Sequence, residues 1–433
     1  MRVQDLGGTR QGGGFIPPPS QPPPPGAGGF FNWAKRQIPR DPKTGRVDFS
    51  EIVNVPKAFK ASADLSAPLR QGIFLMRRKA WRDSLVPMIR SIKNSNYEEE
   101  LTKMRNHPRY KNAQADGVRF SVAGEGGKAG EEAFGSKLAR KVPILGKYVV
   151  APSERAYTTF LDSLRLKTYD EMMTEAEKMQ ARDPKAFGEI PRKNIANYIN
   201  TASGRGSLAP TISSPSKTGE RAAEVLNLGL FSPRFIASRM QLMNPYTYYK
   251  LDPFTRKEAL KDMRSMVGMV GGALGLAKAS GADVTLDPRD SDWGKIKSVN
   301  TRVDLTGGFG PYMRFFAQAM NGIGTGQDGP DLARFVKSKE SPSVGIASEA
   351  ISGKDFFGKE QARWKPVAKT VVPMIMEDWH DLLQSDPDIL TGGGAGAAAM
   401  FGLPVQSYDS SGRRSGSKGS GSSARSTRTR YKP

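Results

Sequence analysis

The sequence predicts a mainly α-helical protein, an irregular multi-helix assembly with a few short strands and disordered termini. Three observations carry that expectation. Apolar residues recur at spacings of three and four through most of the middle of the chain, the repeat that lines one side of a helix. Strand-like patterning is confined to residues 284–310. Low-complexity composition dominates the two ends, where too few apolar side chains exist to offset the entropy of ordering. The expected division is a Gly/Pro-rich arm over 1–30, a helical region over 31–206, a polar linker over 207–220, a second helical region over 221–409 and a basic tail over 410–433.

The elements follow in order. Phe30, Phe31 and Trp33 form an aromatic anchor after the arm, and Asp48 with Ser50 can cap a short helix. From Ser66 the pattern turns helical, with Pro68 in a first turn and Leu69, Ile73, Phe74, Trp81 and Leu85 at helical spacing. Asn94 to Asn106 reads as a charged helix that stops on the approach to Pro108. After a Gly-rich loop at 121–130, a short helix spans 131–138. The clearest helix opens at Pro152-Ser153-Glu154. It has an apolar stripe of Tyr157, Phe160, Leu161, Leu164 and Leu166, with Arg155, Asp162, Arg165 and Lys167 around it. Tyr169 to Met179 extends it, Asn194 to Ile199 adds a shorter helix, and Thr201 to Gly206 is a turn.

In the second half, Thr255 and Glu258 stand at capping-box spacing and start a helix. It runs into the apolar, Gly-rich stretch Met266 to Ala277 and ends at Ser280-Gly281. That stretch has about 12 residues against the roughly 20 that a membrane span needs, so a buried helix is expected, with membrane contact as the alternative. Pro311 to Met320 reads as an amphipathic helix carrying Tyr312, Phe315, Phe316 and Ala319 on its apolar side. Further helices are expected at 332–336, 346–351 and 371–383.

The charge balance is the strongest physical signal. The 433 residues carry 65 Lys and Arg against 43 Asp and Glu, a net charge of +22, and 37% of them are apolar. Such an excess implies a polyanionic neighbour, nucleic acid first among them, then an anionic membrane or an acidic protein. The tail from Ser410 holds Arg413, Arg414, Lys418, Arg425, Arg428, Arg430 and Lys432 and no acidic residue. It is a cationic arm suited to phosphate contact by counterion release. Arg234 and Arg239, interleaved with aromatics in FSPRFIASR, are candidates for the same work. The same spacing also builds an ordinary helix with Phe235 and Met240 inside and both arginines outside.

Several chemistries are excluded or poorly supported. The chain has no Cys, so disulfides, thiolate zinc sites and Cys nucleophiles are ruled out. Its 2 His, His107 and His380, give little basis for a Ser-His nucleophile system. Residues 1–40 lack the apolar run of a secretory signal. Gly394 to Ala399 fits a loose dinucleotide pattern without the strand and acidic ribose ligand that the pattern requires. Asp287, Asp290 and Asp292, with Lys295 nearby, are the remaining enzymatic alternative: a divalent-metal, nuclease-like site. Clustered Asp residues are equally the material of turns and caps. No cofactor is expected.

Seven ordered blocks resemble one known family, the large polyvalent protein-associated domains of tailed bacteriophages. They are KAFKASADLSAPLRQG (57–72), SERAYTTFLDSLR (153–165), INTASGRG (199–206), LFSPRFIASRMQLMNP (230–245), DPRDSDWGKIKSVNTRVDLTGGFGPY (287–312), RFVKSKESP (334–342) and FGLPVQSY (401–408). The resemblance implies a non-enzymatic protein packaged in the virion and oligomeric there, placed among other virion proteins and near phage DNA. Ejection with the genome belongs to the same expectation; membrane contact during genome delivery is a separate alternative, carried by Met266 to Ala277 and its basic flanks. It implies no catalytic residues.

Overall fold

The computed structural model describes residues 65–121, 146–207 and 232–325, apart from 286, 288–289, 291 and 299–300, together with 335, 338–339 and 405–407. The Gly/Pro-rich arm, the aromatic anchor, the Asp48–Ser50 cap, the 131–138 helix, most of the linker, the expected helices at 346–351 and 371–383, the 394–399 motif and the basic tail lie outside these residues, as does 332–336 apart from Phe335. All described residues fall in one unit, Asp48–Pro433.

A run of short helices comes first: α1 (Ala67–Arg70), a 3-10 turn (Ile73–Leu75), α2 (Lys79–Asp83), α3 (Leu85–Arg90), α4 (Asn94–Arg105) and α5 (Tyr110–Ala115). A wide π turn at Gly146–Val150 then leads into α6 (Ala151–Arg182), whose 32 residues span about 48 Å at 1.5 Å each. α1 to α5 pack around α6, and α7 (Pro184–Phe187) and α8 (Arg192–Ala202) close over it.

The expected stripe of α6 is present, but burial is not limited to it. Every residue from Ala156 to Leu166 is buried, so Asp162 and Arg165, expected around the stripe, lie inside. They are accommodated because each finds partners. Arg165 pairs with Asp162 at 3.2 Å and donates to the Ser203 Oγ at 2.8 Å, while Asp162 accepts the Ser121 N–H at 2.7 Å. A buried charge is tolerable only on such terms.

The chain resumes with α9 (Pro233–Met243), α10 (Pro245–Tyr249) and α11 (Pro253–Ala279). The cap of α11 differs from expectation. Asp252 accepts the Thr255 N–H at 2.9 Å with Pro253 in the first turn, and Glu258 turns away to pair with Arg77 at 2.8 Å. Asp262, one turn further on, accepts from Arg78 at 2.6 Å and from the Tyr198 hydroxyl at 2.5 Å. This network joins α11 to the first helices and to α8. The described parts of the two helical regions therefore share one core, which runs from Ala67 to Phe309.

The expected strands appear as β1 (Asp283–Val284), β2 (Lys295–Ser298) and β3 (Thr301–Asp304). α12 (Gly310–Thr325) follows, and β4 (Val405–Ser407) completes the sheet. The order is β1-β2-β3-β4, antiparallel throughout, with Val303 opposite Val405.

The Gly-rich half of α11 corrects an expectation. Met266 is buried, but the helix beyond it is not: Val267 is 51% exposed and Leu276 75%. Among the described residues, no helix is long and apolar enough to cross a membrane.

Candidate nucleic-acid interface

Two glycine turns deliver arginines to one place. Gly117, at φ 104°, ends the turn after α5 and sends Val118 inward and Arg119 outward, where it is exposed. Gly204, at φ 91°, ends α8 and is followed by Arg205. Both φ values lie where glycine alone is comfortable.

The buried Asn200 side chain ties the two turns together. Its Oδ1 accepts the Arg119 N–H at 3.0 Å, its Nδ2 donates to the Gly117 carbonyl at 2.8 Å, and its own carbonyl accepts the Arg205 N–H at 2.7 Å. The third arginine comes from α9, where the Arg234 carbonyl accepts the Gly206 N–H at 3.0 Å. A side chain at Gly206 would run into the Ser238 backbone nitrogen, so the close approach of this loop to α9 depends on glycine.

Arg119, Arg205 and Arg234 thus lie close enough to act on one another, and the buried Arg165 acts on Arg119 as well. Arg205 is braced by the Ser121 hydroxyl and by the Phe120 carbonyl at 3.4 Å. Burial first, then Arg234, Arg205 and Arg165, hold the Arg119 pKa below its usual value. The described charges that lower it are positive, and of these Arg165 is itself paired with Asp162. An anion placed among these groups relieves both the repulsion and the lost hydration. Such a cluster suits a phosphate, which arginine engages in forked, charge-assisted hydrogen bonds.

Of the arginines expected to meet nucleic acid, Arg234 lies in this cluster. Arg239 corrects its expectation. It is fully buried, with its guanidinium carbon 3.9 Å from the Phe309 ring centroid and 4.4 Å from that of Phe235. Its Nη2 donates to the Arg70 carbonyl, while Nε and Nη1 have no hydrogen-bond partner. Burial pulls its pKa down to about 9. A group enclosed in this way cannot reach a phosphate backbone. Arg413, Arg414, Lys418, Arg425, Arg428, Arg430 and Lys432 lie outside the described residues.

Arg119 and Arg205 were not singled out from the sequence. The signal they left is a glycine beside or two residues before an arginine, in GVRF and SGRG, which marks a turn but not what the turn faces.

The aspartates of the enzymatic alternative are drawn apart in role. Asp292 faces Arg302 at 3.0 Å, Lys295 at 3.4 Å and Lys297 at 3.7 Å, while Asp290 accepts the Asp292 N–H at 2.8 Å as a turn residue does. Among the described residues, no group of three His, Asp or Glu side chains is placed to hold a metal ion. His107 accepts the Arg109 N–H at 3.3 Å, and His380 lies outside the described residues.

Fold and cluster together define a mainly helical protein with a small antiparallel sheet and a clustered cationic site. No protein-family model, curated protein or solved structure matches the chain.

Proposed function

We propose that this chain is a structural or ejected virion protein of a tailed bacteriophage that contacts packaged DNA without sequence preference, through phosphate. The observation that carries the DNA part is the convergence of Arg119, Arg205 and Arg234 on turns held by Asn200 and Gly206. The net charge of +22 and the acid-free tail from Ser410 support it from the sequence. The virion part rests on the resemblance of seven blocks between Lys57 and Tyr408 to the phage family named above.

In this reading the protein is oligomeric in the particle, lies among other virion proteins and catalyses no reaction. The cluster supplies one phosphate contact, and the lysines and arginines of the tail supply further ones. Each neutralised phosphate releases counterions, so affinity falls steeply with salt. The test is duplex DNA binding across a salt series, for the intact chain, a chain ending at Asp409 and the variant Arg119→Gln/Arg234→Gln. Both changes are expected to flatten the salt slope. Retention of the full slope by the double variant would remove the cluster from the interface.

A further inference from the structure

We infer that the outward face of α11 is a docking surface for an anionic lipid bilayer. The inference does not rest on the DNA reading; it comes from the exposure of the Gly-rich half of this helix.

Met263, Met266, Val270, Leu274 and Ala277 follow one another at helical spacing, and all are buried or half-buried. They form the side turned to the rest of the fold. Gly268, Gly271, Gly272, Gly275 and Ala279 lie on the opposite side. At each of the four glycines, the place where a Cβ would stand is open space. The exposed apolar side chains flank this face, with Val267 (51%) on one side and Met269 (36%) and Leu276 (75%) on the other. An apolar, glycine-rich helix presented to water on three sides is poorly suited to water alone.

The first half of the helix indicates what covers it. Lys257, Lys261 and Arg264 lie on the same outward face, one to three turns before Gly268, and all three are exposed. Lys278 is exposed near the far end. Only Lys261 has a described ion pair, with Glu258 at 2.6 Å. The face is therefore cationic over its first turns and apolar over its last. An anionic bilayer matches both parts, with phosphate headgroups at the lysines and arginine and hydrocarbon at Val267, Met269 and Leu276. A second copy of the chain would bring the same net charge of +22 and the same lysines, which oppose pairing. The apolar stretch from Val267 to Ala277 is about 16 Å long, short of the roughly 30 Å of a hydrocarbon core. It lies in one leaflet and does not cross.

The chain has no Cys, so Leu276→Cys in the full chain offers a single position for an environment-sensitive dye. With vesicles of mixed phosphatidylglycerol and phosphatidylcholine, its emission is expected to move to the blue and to be quenched by spin-labelled acyl chains. Phosphatidylcholine alone should give a weaker response. In unlabelled protein, Val267→Asp/Leu276→Asp should lower partitioning into the mixed vesicles at least about tenfold at about 0.15 M salt. The thermal unfolding curve should be unchanged, because both side chains are exposed. Vesicle binding with unshifted emission and no loss in the double variant would assign the attraction to the basic tail and overturn the inference. A blue shift without vesicles that grows with protein concentration would overturn it in favour of a second copy.

Discussion

The Arg239 guanidinium stacks on the Phe309 ring at 3.9 Å, and this contact joins α9 to the turn that precedes α12. Among the described residues, two aromatic faces and one carbonyl meet the Arg239 guanidinium, and no carboxylate offsets it. Cation–π attraction in a desolvated site is worth about 2 kcal/mol or more, against several kcal/mol for burying the charge. Replacing it by an apolar side chain of similar length should therefore cost little. Arg239→Met is expected to leave stability unchanged or raise it by up to about 4 kcal/mol, whereas Phe309→Ala should lower it by about 3–5 kcal/mol. Urea unfolding of the two variants checks this.

The same residue gives a pH dependence. Its folded pKa, about 9, is below the ordinary arginine value, so between the two the unfolded chain binds more protons. Stability contributed through Arg239 therefore increases as pH rises from about 9. Other groups titrate in this range, so the readout is a difference. From pH 8 to pH 10.5, wild type should gain stability relative to Arg239→Met; a gap that stays constant would mean that Arg239 keeps its proton.

Asp262 holds Arg78 and Tyr198 inside the core, and burial and the Asp262 charge push the Tyr198 pKa well up. Asp262→Ala leaves the 5% exposed Arg78 with the longer contact to Glu258 at 3.4 Å as its remaining described carboxylate and should cost about 3–5 kcal/mol. Arg78→Met/Asp262→Leu should recover most of that loss, as read by thermal unfolding. A double variant no better than the single one would make the pair a source of stability in its own right.

Two glycines should respond in opposite directions to the same change. Gly206→Ala meets the Ser238 backbone and should destabilise by at least about 2 kcal/mol. Gly272→Ala enters open space on an exposed helix and should stabilise by about 1 kcal/mol.

The sequence carried the helices better than their surroundings. Pro152 to Met179 could be read because its apolar spacing is regular and Pro sits in its first turn; the observed α6 includes all of it. Arg239 was misplaced because spacing gives the face of a helix but not what packs on that face. Its partner Phe309 lies 70 residues further along the chain. The Gly-rich stretch was misplaced for the related reason that apolar composition does not reveal whether a neighbour exists. The cap at Asp252 was overlooked beside the more familiar Thr255–Glu258 spacing, although Pro253 marked it. A three-residue strand such as β4 has too little alternation to register. The arginine cluster was half legible: Arg234 stood out among aromatics, whereas Arg119 and Arg205 are brought to it by turns that only the fold joins.

The central claim is that a fixed arginine cluster, held by Asn200, contacts nucleic-acid phosphate. Asn200→Ala tests it most directly, because net charge is unchanged while the Arg119 N–H and the Gly117 carbonyl lose their partner. Measured on duplex DNA across a salt series, in chains ending at Asp409 to remove the tail, the variant should bind more weakly, with a shallower salt slope than its parent. Identical slopes and affinities would contradict the account and return the charge of the folded region to a partner other than nucleic acid.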